Sequence, residues 1–317
     1  MLDNLLLTSL LPLFSTVFSL SSKELLKYIG PDSYTGFALL GAGILSLLYN
    51  FHTGTKTKFN RFSVISGLSF GAATLLFEQA LKRAGNPGLA NAMYRSQAAL
   101  TALVSVVVLG SSLSLLSLFG VCATVAGAAL VAKDHEDKRE DKKEGFEALR
   151  NEDRPKAMSK GDRKVQKAFD KSWIAMALTA GVLLTVKDIT AVLALRGNKM
   201  TPSSYVVSQC LFGTLIVFAY KFATEGTLRP KLAADANVLD LVAGLGLVSL
   251  DNFLWCAVLV YLMSVARNPA FPKAVTMSGV ALTAFLSSFL FKGASLDRDQ
   301  WSGIALILGG VGAVILG

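Results

Sequence analysis

The chain alternates long apolar runs with short polar turns. Runs at 4–22, 34–51, 62–83, 88–109, 114–132, 172–195, 203–223, 238–265, 271–291 and 300–316 are each close to the roughly 20 residues that carry a helix across a bilayer. They predict an all-α integral membrane protein with ten transmembrane helices. Ser21, Ser22, Lys23 and Glu24 blur the end of the first run, and the eighth is long enough to tilt or bend. Met1-Leu-Asp-Asn has no basic n-region and no small-residue cleavage site follows, so the first run is expected to stay as a span.

The ten runs read as the same five, twice. A shift of 182 places Asn86-Pro87 on Asn268-Pro269 and Ala99-Leu-Thr-Ala102 on Ala281-Leu-Thr-Ala284, and one residue more places Gly120 on Gly303 and Gly127 on Gly310. A shift of 171 places Pro31 on Pro202, Ser33-Tyr34 on Ser204-Tyr205, Tyr49 on Tyr220 and Phe51 on Phe222. Composition alone scatters Ala and Leu matches through apolar runs, but it rarely puts Asn-Pro, Pro and Tyr in register. Five spans is an odd number, so the second copy enters the membrane from the opposite side. The expected organisation is two inverted five-helix repeats, 1–132 and 172–317, joined by a charged connector, 133–171. Asn followed by Pro suits the first turn of a helix and marks the starts of spans four and nine. Ala123 with Gly127, and Ala305 with Gly309, are spaced to let helices approach closely in lipid, within the chain or as a homodimer contact.

Composition narrows the function classes. Of 317 residues, 52% are hydrophobic and 17% charged, with mean hydropathy +0.51, which excludes a soluble globular enzyme. The stretch 133–171 holds 13 of the 31 Lys+Arg and 11 of the 22 Asp+Glu. The net charge of +9 is therefore no signal for nucleic acid, because most basic groups lie in turns between apolar runs or in this stretch, where acid nearly balances them. Phe146, Leu149, Val165 and Phe169 amid that charge fit one or two surface helices or a solvated linker. Cys122, Cys210 and Cys256 have no spacing for a disulfide framework or a zinc site, so no metal or cofactor is expected.

The run Asn86-Pro-Gly-Leu-Ala, then Ala99-Leu-Thr-Ala-Leu, Leu109-Gly-Ser-Ser-Leu-Ser and Gly120 to Gly127, resembles the EamA-like branch of the drug/metabolite transporter superfamily. That resemblance implies ten helices in two inverted halves, and kinship with nucleotide-sugar and sugar-phosphate transporters. The family usually carries an acidic residue after the Leu-Gly of the turn between helices four and five. Ser111 and Lys292 stand in the two equivalent places here. The resemblance also implies cytoplasmic termini. The basic-residue rule instead puts the connector in the cytoplasm, since its side of the membrane holds most of the Lys and Arg.

Ionisable groups inside spans cost from about 2.5 kcal/mol upward, so each needs a partner or water. They are Arg95, Lys187 and Lys273 against Glu78, Asp188 and Asp251. Asn91, Tyr94 and Arg95 share a face of span four, and Lys273 and Thr276 share one on span nine, with Lys273 the repeat counterpart of Asn91. These faces point to a shared cavity, which the resemblance also assigns to helices four and nine. Tyr94, Arg95, Lys273, Asn91, Thr276 and Trp255 are the expected substrate contacts, with Arg95 and Lys273 suited to a carboxylate or phosphate. The bland alternative pairs Arg95 permanently with Glu78 or Asp251 and sends Lys273 to the interface. Lys187 and Asp188 point about 100° apart on their helix, so they are not expected simply to pair with each other, and at least one should reach another helix. Asp251 and Asp188 could carry a coupling proton, although structural pairing explains buried carboxylates more often. Glu78, four residues before Lys82, is placed for a helix-end ion pair. Ser15, Thr16 and Ser19 could supply neutral hydrogen bonds or simply pack.

The reading is a secondary transporter of small organic solutes working by alternating access, proton-coupled or exchanging. Its substrate is anionic or zwitterionic, with no nucleic-acid partner. Sugar-phosphate or nucleotide-sugar antiport in an internal membrane is the alternative cargo. No Walker A, HExxH or GxSxG pattern occurs and the histidines, His52 and His135, are far apart in loops, which argues against ATP drive and against an enzyme. A channel or a non-transporting scaffold is the rival class; no TVGYG-like filter occurs.

Overall fold

The structure is a computed structural model and describes residues 2–84, 86–95, 97–111, 114–132, 160–197, 200–265, 272, 275–276, 278–291 and 296–316. Its helices are α1 Leu2–Leu25, α2 Pro31–His52, α3 Arg61–Arg83, α4 Pro87–Arg95, α5 Gln97–Leu109, α6 Leu115–Ala132, α7 Lys160–Val192, α8 Pro202–Glu225, α9 Val238–Val265, α10 Ser278–Leu290 and α11 Arg298–Leu316. Helices α4 and α5 together cover the single apolar run Pro87–Leu109. A π-helical turn, Leu193–Gly197, ends α7. Among the described residues no strand longer than an isolated bridge occurs. The protein is thus an all-α, multi-pass integral membrane protein. Among the described residues six helical segments are long and apolar enough to cross a membrane, and Leu115–Thr124 and Gly279–Leu290 are shorter apolar helices.

The helix starts follow from local chemistry. Pro31 and Pro202 open α2 and α8, where the missing N–H costs nothing. Asn60 and Ser63 form a capping box at α3: Ser63 N donates to Asn60 Oδ1 at 2.8 Å and Asn60 N to Ser63 Oγ at 3.1 Å. Asn86 Oδ1 accepts from Gly88 N at 2.7 Å, as the Asn-Pro spacing predicts. Thr201 caps α8 at its start, and Gly226, with φ 67°, ends it. Helix α7 begins at Lys160, inside the stretch read as a connector. The rest of that connector, 133–159, lies outside the described residues, as do Asn268-Pro269 and Lys292.

Packing pairs each helix of the first half with helices of the second. Helix α6 lies against α11, α2 against α8, and α4 against α10; α3 packs on α7 and α8, α9 on α1 and α2, α7 on α4 and α5, and α1 on α10. Exchanging α1 with α7, α2 with α8, α3 with α9, α4–α5 with α10 and α6 with α11 returns the same set of pairs. Three of the pairs run antiparallel. Gly36 and Gly43 of α2 meet Phe218 and Cys210 of α8, Gly88 and Asn91 of α4 meet Ala284 and Thr283 of α10, and Gly120 and Gly127 of α6 meet Gly310 and Gly303 of α11. At α6–α11 a side-chain carbon on Gly127 would stand 2.5 Å from the Gly303 carbonyl oxygen, so the backbones touch where only glycine fits. The expected partners Ala305 and Gly309 are instead exposed, because the buried face of α11 runs Gly303, Ile307, Gly310.

One charged contact ties the α2–α8 pair. Lys221, fully buried on α8, reaches Asp32 at the start of α2 at 2.5 Å and Glu225 at 2.6 Å, and exposed Lys231 meets Glu225 at 2.8 Å. Nearby, Ala233 N donates to Tyr28 O at 2.9 Å, and Ile29 bridges Leu232. Lys23 at the end of α1 donates to the carbonyls of Leu81, Lys82 and Ala84, covering the C-terminus of α3.

Candidate functional site

Four helices that meet in the interior enclose a cavity of about 20 Å³, room for about one water. Helix α1 contributes Ser15 and Phe18, α3 Phe70 and Thr74, α4 Tyr94 and Arg95, and α9 Asp251, Asn252 and Trp255. Helix geometry explains the grouping. Phe70, Thr74 and Glu78 are spaced i, i+4, i+8 on α3, and Asp251 and Trp255 are spaced i, i+4 on α9.

Arg95 is the centre of this site. It is 4% exposed, and its guanidinium Nε donates to Asn91 Oδ1 at 3.3 Å and Nη2 to Ser15 Oγ at 2.9 Å. Its Nη1 has no hydrogen-bond partner. The faces of Trp255 and Tyr94 lie 5.1 and 5.4 Å from its central carbon, and Tyr94 is itself stacked on Phe77 at 4.2 Å. No carboxylate lies within ion-pair distance of Arg95 among the described residues. The bland pairing of Arg95 with Glu78 or Asp251 is therefore absent from this arrangement. A buried N–H left unmade costs about 1–3 kcal/mol, which an acceptor entering the cavity would recover.

The contacts of Arg95 extend through a polar chain. Asn91 Nδ2 donates to Thr283 Oγ1 at 3.4 Å, Thr283 to Thr16 Oγ1 at 3.3 Å, and Thr16 to the Gly279 carbonyl at 3.2 Å. Helices α1, α4 and α10 are joined by it, and Ser15 and Thr16 serve as hydrogen-bonding groups. Asp251 faces the cavity, 6% exposed, with Oδ2 unpartnered, and the amide nitrogen of Asn252 beside it is also unpartnered.

Two expectations about charge are corrected. Lys187 and Asp188 pair with each other, Nζ to Oδ1 at 3.2 Å, both side chains fully buried. The four-carbon lysine stem spans the angular gap that the helix puts between neighbouring Cβ atoms. Lys187 still reaches across helices, its ammonium lying 5.6 Å from the Phe70 ring and 5.9 Å from Trp255. Trp255 thus stands near both cations, Arg95 and Lys187. Glu78 is fully buried while Lys82 is exposed, and no ion pair joins them: one turn of helix separates the interior face from the outer end. Thr276 is fully buried. Lys273 lies outside the described residues. The sequence reading passed over Phe18, Phe70, Thr74 and Lys221. The first three look like ordinary span residues, whereas Lys221 followed by Glu225 four residues later was a readable signal.

Residues 4–133 match the model of the EamA-like transporter family, the family that the Asn-Pro and Leu-Gly motifs resemble. No curated protein matches the chain. A solved structure described as "Crystal structure of protein" aligns over 98% of this chain and 96% of its own, with TM-score 0.58 and 15% identity. At that identity the likeness is one of fold. The matched family is one of transporters rather than enzymes.

Proposed function

We propose, from the transporter-family match of its first half, that the protein is a secondary transporter of small organic solutes. Two inverted halves, 1–132 and 172–317, would alternate access to the cavity between α1, α3, α4 and α9. The exchange symmetry of the helix pairs supports this reading, as do the three antiparallel pairs that join equivalent helices.

The carrying observation is Arg95: a buried guanidinium with one nitrogen unpartnered, facing a cavity and paired with no carboxylate among the described residues. It would take the carboxylate or phosphate of an anionic or zwitterionic solute. Ser15 and Asn91 hold the guanidinium, Tyr94 and Trp255 wall it, and Asp251 with Asn252 offers acceptor and donor to the far end of the solute. Lys273 and Thr276 belong to the same proposal through the repeat. The Lys187–Asp188 pair and the buried carboxylates Asp251 and Glu78 are the proposed coupling groups. With room for about one water, the site here is closed, and helix movement must open it for any solute.

The test is a thermal-shift screen of purified protein against amino acids, sugar phosphates, nucleotide sugars and amines, followed by counterflow in proteoliposomes. A ligand that binds the folded state stabilises it by mass action. A saturable shift lost in Arg95→Ala, in protein that still folds, supports the site and names the cargo class. A shift indifferent to Arg95→Ala moves the site elsewhere. Counterflow accelerated by internal ligand marks a carrier, and its absence despite binding favours a channel or scaffold.

A further inference from the structure

A second feature lies on the opposite side of α3, away from the cavity. Ala72, Leu76, Ile216 and Val217 line an apolar groove of about 300 Å³ between α3 and α8, with Gln79 and Tyr220 at one end. The groove faces lipid: Ile65, earlier on the same stripe of α3, is 44% exposed, and Leu215 and Tyr220 of α8 are 59% and 45% exposed. Its volume is about ten times the roughly 30 Å³ share of one water, about that of a methylene, so it accepts a chain of roughly ten carbons. Left open, the walls would forfeit dispersion contacts that a hydrocarbon tail restores.

The polar end says which lipid. Gln79 and Lys82 are spaced i, i+3, one turn from the end of α3 at Arg83, where headgroups begin. Lys82 is exposed and its ammonium has no ion-pair partner among the described residues. Tyr220, which lines the groove with Gln79, is the amphipathic ring that membrane interfaces favour. We propose that the α3–α8 groove binds one acyl chain of an anionic phospholipid whose phosphate pairs with Lys82. Because α3 and α8 come from different halves of the chain, the bound tail would wedge between the two halves.

Full-length protein in nanodiscs is to be photolabelled with phosphatidylglycerol or phosphatidylcholine carrying the same diazirine acyl chain, and the labelled peptides read by mass spectrometry. The expected result is labelling of α3 and α8 at the groove, about fivefold stronger from the anionic lipid, the factor that about 1 kcal/mol per surface lysine provides. Lys82→Gln removes the preference and keeps the labelling. Ala72→Phe removes groove labelling from both lipids but not labelling around Leu48, an outward residue of α2. Should Ala72→Phe fail to fold, Leu76→Trp blocks the same groove. Groove labelling that survives a folded blocking variant overturns the chain site, and an anionic preference that survives Lys82→Gln overturns the headgroup contact.

Discussion

Gly310→Ala and Gly309→Ala, neighbours on α11, should have opposite effects on stability. On Gly310 the new methyl carbon would stand 2.5 Å from the Gly120 carbonyl oxygen and 2.7 Å from the Thr124 nitrogen, both backbone atoms of α6. Ordinary contacts of such a carbon begin near 3.4 Å, so the helices must part by close to an ångström. A radial gap of 0.5–1 Å forfeits a quarter to a half of each dispersion contact along the seam. The whole cost falls in the overpacking range, about 1–3 kcal/mol. Gly309 has nothing within 4 Å, so its alanine collects only the helix-propensity gain, about 0.5–1 kcal/mol. Thermal unfolding of both variants in one detergent, scored as monodisperse protein surviving heat, should rank Gly309→Ala at or above the parent and Gly310→Ala below it. Gly127→Ala should behave like Gly310→Ala, and the double variant should cost less than the two together, since one separation relieves both clashes. Equal melting of the Gly309 and Gly310 variants would refute the antiparallel backbone contact of α6 and α11.

Lys221→Met strands Asp32 and Glu225 without the cation that joins them and should destabilise the protein more than loss of the exposed Lys231 does. Lys231→Ala, removing a lysine 73% exposed, should change unfolding by no more than about 1 kcal/mol, and a loss equal to that of Lys221→Met would contradict the assignment of burial. Asn60→Ala deletes the capping box of α3 and should lower stability by about 0.5–2 kcal/mol in the same heating assay. Trp255→Leu should leave the protein folded but weaken any ligand that Arg95→Ala abolishes, because it removes the ring near both cations; unchanged affinity by titration would take Trp255 out of the site.

What the sequence disclosed and what it withheld divide along one physical line. Spans are written in one dimension: the run 238–265 is α9 residue for residue, and 203–223 lies within α8 with its Pro202 and Gly226 boundaries. Faces are nearly as legible, since a fixed 100° per residue puts Asn91 beside Arg95 and Asp251 beside Trp255. Partners across helices are not, because the rotation of each helix about its axis depends on contacts far away in sequence. Gly309 and Gly310 differ by one position, and only the seam with α6 decides which is buried. The same holds for charge. Glu78 reads as a helix-end residue by its distance from Lys82, yet it lies on the face of Phe70 and Thr74, and that face points inward. Lys187 and Asp188 fail the angular rule because the rule describes Cβ directions, and a lysine ends four carbons further on. Arg95 was legible as a buried cation, but its unpaired state required three-dimensional knowledge that neither Glu78 nor Asp251 turns toward it. The hydrogen bond its Nη1 leaves unmade costs about 1–3 kcal/mol in this fold, which a water in the cavity, or the acceptor group of a solute that displaces it, would recover.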